Sequence, residues 1–64
     1  SGERNALTRE RFQFGTRVLN SSNGIIAMVT KVTRRGTVEA ITDMMGVDVP
    51  VEFTNPDDLE VIAA

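Results

Sequence analysis

The chain contains no cysteine, histidine, tryptophan or tyrosine among its 64 residues. Without cysteine, disulfides and thiolate metal centres are excluded. Without histidine, the commonest general base and the commonest metal ligand are missing. Without tyrosine or tryptophan, any base stacking on an exposed ring falls to three phenylalanines. No apolar run approaches the ~20 residues of a membrane span, and the polar start "SGERNALTRERF" lacks the apolar centre of a secretory signal. These absences lead us to expect a cytoplasmic protein with no metal, no cofactor, no membrane contact and no catalytic activity. Ser1-Gly2, with no initiator methionine, reads as the remnant of a cloning tag, which puts the natural start near Glu3 or further upstream. A chain this short makes at most one domain and buries a small core. Idealised packing or self-association has to supply the rest of its stability.

What is present is arranged unevenly. All seven basic residues lie before Gly36, with two acids; the remainder holds seven acids and no base. Such asymmetry marks either separate basic and acidic faces or strands from both halves interleaved so that charges pair across a sheet. The composition does not choose between these.

Residues 1–11 are polar and charged and read as a flexible arm, with room for one helical turn capped by Thr8. Residues 12–64 form the domain. Short strands are expected at Thr16–Leu19, Ile25–Thr33, Thr37–Thr42, Val47–Phe53 and Leu59–Ile62. "NSSNG" is dense in turn formers, and "TRRG" turns the chain between the second and third strands. The apolar side of the second strand changes between Val29 and Val32, which predicts a bulge near Thr30-Lys31. Pro50 lacks an N–H, which predicts an edge strand or an outward-pointing donor position. Asn55, Pro56 and Asp57-Asp58 predict a capped single turn before the last strand. The expected fold is all-β: a small five-stranded SH3-like barrel with one 3₁₀ turn before the last strand and a flexible N-terminal arm. Its expected core is Phe14, Val18, Ile26, Val29, Val32, Val38, Ile41, Val49, Val51, Phe53, Leu59 and Ile62.

The spacing Gly24, Ala27, Val29, Val32, with "GTRV" before it and "DLEVI" after it, resembles the KOW/Tudor-type barrels of ribosomal proteins and transcription elongation factors. Ala27 stands where the KOW pattern usually has a second glycine. The resemblance covers about residues 12–62. It implies a non-catalytic module bound to nucleic acid or to a transcription or translation machine. A weaker resemblance is to the type II plasmid dihydrofolate reductases, small barrels that assemble as tetramers around one pore. "VEFTNPDDLEVI" has the length of their closing segment, but Glu52 and Thr54 stand at the positions of two pore contacts. Carboxylates from several Glu52 copies around one pore would repel each other and an anionic cofactor.

The residues that could carry function fall into three groups. Arg34 and Arg35, with Lys31 on the preceding strand and Arg17 on a neighbouring one, form a candidate phosphate-contacting hairpin. The competing reading is a solvated tip that discourages edge pairing. Arg4, Arg9 and Arg11 in the arm could follow a phosphate backbone or fold on a partner, or belong to a frayed terminus. Met44-Met45, with Ile25, could form an apolar patch for self-association, or cap the open barrel end. Two functions follow: a binding module of a nucleic-acid machine, contacting nucleic acid or a nucleic-acid-bound protein complex, or a protein-interaction module that forms a homo-oligomer, such as a small phage- or plasmid-type adaptor. A reductase-like oligomer is the remote third. Asp43 and Asp48 could approach each other across "DMMGV", but no metal-binding spacing accompanies them.

Overall fold

A computed structural model describes residues 2–63, with side chains from Leu7 onward. Helix α1 spans Gly2–Arg11, and strands β1 to β5 span Arg17–Asn20, Ile26–Val32, Val38–Met44, Val47–Phe53 and Leu59–Ala63. A 3₁₀ turn at Pro56–Asp58 precedes β5. All strand pairs are antiparallel, in the order β4-β3-β2-β1-β5. One buried cluster draws Val18 from β1, Ala27 and Val29 from β2, Val38 and Ala40 from β3, Phe53 from β4 and Leu59 from β5. A flat sheet could not bring its two end strands into a single core. The sheet therefore curls on itself, in the order and with the 3₁₀ turn of an SH3-like barrel.

The curl originates in β2. Its register against β3 shifts between Val29 and Lys31, leaving Thr30 as the extra residue of a bulge. Ala27 and Val29 point inward before the bulge and Val32 after it, while Lys31 faces out opposite Glu39. The Thr30 hydroxyl donates to the Glu39 carbonyl at 3.1 Å, giving that backbone group a partner where the ladder is interrupted. The bulge expected from the pattern is where the structure has it.

Each turn follows from its residues. Thr33 N–H donates to Thr37 C=O, enclosing Arg34, Arg35 and Gly36 in a three-residue loop. Gly36 has φ 86°, the left-handed position that such a loop requires of its last residue. Asn55 caps the 3₁₀ turn, its Oδ1 accepting from Asp57 N–H at 3.1 Å, with Pro56 in the first helical position. The Ser21 N–H and hydroxyl both donate to the Asp58 carbonyl, tying the β1–β2 loop to that turn. No helix among the described residues is long and apolar enough to cross a membrane.

Several expectations are corrected. The segment read as a flexible arm is helix α1. Ala6, Leu7, Glu3 and the arginines are good helix formers, and Arg9 and Arg11 in the last turn complement the negative end of the helix dipole. Because the helix runs to Arg11, Phe12 enters the core at 2 % exposure, and Phe14 stands out at 76 %. The Thr16 N–H closes a turn on the Gln13 carbonyl, and Gly15 has φ 90°, so Phe14 is swung away from the core. Ile26 is 54 % exposed and Ile41 half-buried, because the inward positions of β2 and β3 are filled by Ala27 and Ala40. Ile62 is exposed, since the β1–β5 register shifts beside it. Val32 and Val51 pack only partly against the core, and Val49 is half-buried. The placement of the two phenylalanines is directly testable. Phe12→Ala should cost about 3–5 kcal/mol and leave the domain largely unfolded, and Phe12→Leu should cost less. Phe14→Ala should change stability by less than about 1 kcal/mol. Urea denaturation followed by circular dichroism distinguishes them, and equal effects at both positions would reverse the assignment.

Candidate functional site

The basic residues do not form one patch. Arg17 pairs with Met28 in the β1–β2 ladder. The Arg34-Arg35 turn lies six residues beyond Met28, which is about 20 Å along a strand. Lys31 lies between them on the outer face of β2, opposite Glu39, which in turn faces Glu52. Arg34 and Arg35 are both exposed at the hairpin tip. On α1, Arg9 is exposed, while Arg11 donates through Nη2 to the Leu59 carbonyl at 3.3 Å and sits 5.0 Å from the Phe12 ring centroid. Arg11 is thus a clamp between helix and β5, with a cation–π contact to the core aromatic beside it. The side chain of Arg4 lies outside the described residues.

The methionine loop is a tight hairpin. Met44 pairs with Val47, so Met45 and Gly46 are the two central residues. Both have positive φ, 55° and 84°, as in a type I′ turn, where Asn-Gly is the usual pair. Met45 is fully exposed, and the Asp43 carboxylate accepts from Gly46 N–H at 2.8 Å. Met44 and Val47 are exposed as well, so the hairpin tip is apolar. Ile25 packs partly against the core.

The hairpin turn also fixes which β4 residues point where. In a two-residue hairpin the flanking pair is hydrogen-bonded, so the pairs Met44/Val47, Thr42/Val49, Ala40/Val51 and Val38/Phe53 carry the ladder bonds. Asp43/Asp48, Ile41/Pro50 and Glu39/Glu52 occupy the intervening positions. The missing N–H of Pro50 therefore falls on the free edge of β4, and no ladder bond is lost. In these intervening pairs Cα atoms approach to about 4.5 Å, closer than in bonded pairs. Two acid pairs thus face each other at the shortest cross-strand spacing, an arrangement that disfavours the fold.

Between these charges lies an apolar strip that the sequence pattern did not single out. Leu19, Ile26, Met28, Ile41 and Pro50 occupy neighbouring positions on the outer face of β1 to β4. Part of this strip is an open depression of about 350 Å³, in which Ile26, Met28 and Ile41 are flanked by Arg17, Asp43 and Asp48. On this face β1 and β2 contribute Arg17 and Lys31, while β3 and β4 contribute Glu39, Asp43, Asp48 and Glu52. The parity of Ile26 and Ile41 relative to Ala27 and Ala40 is the signal the sequence offers, and the size of the isoleucines points the other way, toward the core.

A second depression of about 360 Å³ is lined by Asn20, Ser22, Asn23, Asn55 and Asp58, among others. Its amide oxygens are already committed. Asn20 Oδ1 accepts from Ser22, Asn23 Oδ1 from Ile25 N–H, and Asn55 Oδ1 from Asp57 N–H. It is a turn network rather than a free set of ligating groups. Among the described residues, no cluster of three or more acids could hold a metal ion.

No protein-family model, no curated protein and no solved structure matches the chain.

Two substitutions check the local energetics. Met45→Asn should raise stability by about 0.5–1 kcal/mol, because asparagine tolerates the left-handed backbone better than methionine. Asp48→Thr should raise it by about 0.2–1 kcal/mol by removing one like-charge cross-strand pair. Thermal melts read both, and a loss of stability in either variant would contradict the assigned turn or register.

Proposed function

We propose that this chain is a non-catalytic protein-interaction module that docks through the outer face of its sheet. The observation that carries this reading is the distribution of apolar side chains. Among the described residues, eight form the buried core, two of them alanines, and eight large hydrophobics are exposed; one of these, Ile26, stands in the outer strip beside the half-buried Met28 and Ile41. The strip around Ile26, Met28 and Ile41 is bordered by charge, the organisation of a binding patch with an apolar centre and a polar rim.

A second reading keeps a specific observation in its favour. Arg34 and Arg35 are exposed on a three-residue turn closed by backbone hydrogen bonds, a geometry suited to phosphate. Together with the KOW-like spacing this supports a module of a nucleic-acid machine. The four carboxylates on the outer face of β3 and β4 count against using that face for phosphate.

The two readings separate in one pair of experiments. A photo-crosslinking residue at Ile26 should give protein adducts in a cell extract, and these should disappear when Ile41→Asp is added to a chain that remains folded by circular dichroism. Absence of protein adducts, or adducts indifferent to Ile41→Asp, would remove the proposed reading. Fluorescence anisotropy with single- and double-stranded oligonucleotides at low salt addresses the other. Binding that is lost on Arg34→Ala/Arg35→Ala and weakens steeply with salt would favour the nucleic-acid module instead.

A further inference from the structure

We infer that the occupant of the outer face is a second copy of this chain, joined across a two-fold axis that runs parallel to β2 and β3 and between them. This inference rests on the protein-interaction reading above and specifies its partner.

The geometry follows from the strand order and register. Two such curled sheets packed by their outer faces about this axis place β2 of one copy over β3 of the other at the centre, with β1 opposite β4 on flanks that curve away and are bridged only by long side chains. Arg17, Met28, Ile41 and Pro50 share one row across β1 to β4. The axis therefore sets Met28 against Ile41 of the second copy, twice, at the centre of the contact. Arg17 comes to lie over Pro50 of the second copy, with Asp48 and Glu52 two residues to either side, within reach of its long side chain. Lys31 shares the next charged row with Glu39 and Glu52, and the same operation brings it over Glu39 of the second copy.

The basic half of the face thus meets the acidic half, and each charge type does so twice. Within one copy the arrangement is unfavourable, since Asp43 faces Asp48 and Glu39 faces Glu52 at the closest cross-strand spacing. A second copy supplies cations to three of these carboxylates, Arg17 to Asp48 and Glu52 and Lys31 to Glu39, while Asp43 keeps its bond to the Gly46 N–H. The chain also has an independent need for cover. It has no cysteine, a core of eight residues and no metal-holding cluster among the described residues. Association is the remaining common means of stabilising a domain of this size.

The test is sedimentation equilibrium across a wide concentration range, on the wild type and two charge-inverted chains. In one, Arg17→Glu and Lys31→Glu make the whole face acidic. In the other, Glu39→Lys, Asp48→Arg and Glu52→Lys make the β3–β4 half basic; Asp43 is left alone because it holds the turn. The wild type should dimerise. Each inverted chain alone should dimerise roughly ten-fold or more weakly. Mixed together they should form a heterodimer, since each then meets its opposite. An attraction confined within one chain could not be restored by mixing. A wild type that stays monomeric at the highest concentration would overturn the dimer, while protein adducts at Ile26 would still sustain the broader interaction reading. A wild-type dimer unaffected by either inversion, or folded inverted chains that fail to pair, would also overturn it. If an inverted chain does not fold, isotope-filtered nuclear Overhauser spectra of the wild type decide. Contacts between Met28 and Ile41 methyls of different copies support the axis, and their absence in a dimer refutes it.

Discussion

The single extra residue at Thr30 organises the rest of the molecule. Strand side chains alternate strictly, so an unbulged β2 would send Lys31 inward and Val32 outward. The bulge reverses the alternation once, keeping Val29 and Val32 on the core side and Lys31 outside. It also bends the strand enough for one sheet to enclose Val38, Phe53 and Leu59 together. The composition of the outer face is settled by the same event, because the charged row of Lys31, Glu39 and Glu52 exists only in the shifted register.

On that outer face the lopsided charge of the sequence reappears in part, as Arg17 and Lys31 against Glu39, Asp43, Asp48 and Glu52. Consecutive strands are neighbours in the sheet, except that β5 returns beside β1. The basic half of the chain supplies β1 and β2, and the acidic half supplies β3 and β4, so a gradient in sequence becomes a gradient across the surface. Interleaving would have paired opposite charges along every ladder. Among the described residues of the outer face, Lys31 and Glu39, where the two halves adjoin, form such a pair. Facing carboxylates are a cost to the isolated barrel and an asset only where another surface brings positive charge.

Most of the barrel was legible in the sequence, for reasons that are local. Pro56 after Asn55, Gly36 after two arginines and the change of apolar side near Thr30 each state a backbone geometry directly. Pro50 marked an edge strand, and the hairpin register shows that its absent donor faces outward. The failures came where two local readings compete. Polarity made residues 2–11 look like an arm, although their helix propensity is high; once the helix forms, Phe12 takes the core place expected of Phe14. Ile26 and Ile41 looked like core by size, but the narrow interior takes the alanines beside them. The candidate site was the least legible part, because it depends on cross-strand neighbours. Arg17, Met28 and Ile41 are far apart in sequence and become adjacent only through register.

Pro50 has one more consequence, for how far the sheet could extend beyond a single chain. The two end strands are chemically unequal. The free edge of β4 has a gap in its row of donors at Pro50 and carries Asp48 and Glu52 on either side of it. The end strand β5 has neither proline nor lysine, and its one charged residue is Glu60. A polymer of stacked strands needs two competent edges on every unit, one to receive and one to offer. With β4 blunted, strand addition has a valence of one: a chain could add a strand at β5 once, and the growing end would then be closed. For a barrel with exposed apolar side chains, this inequality of edges works against propagation into a fibre.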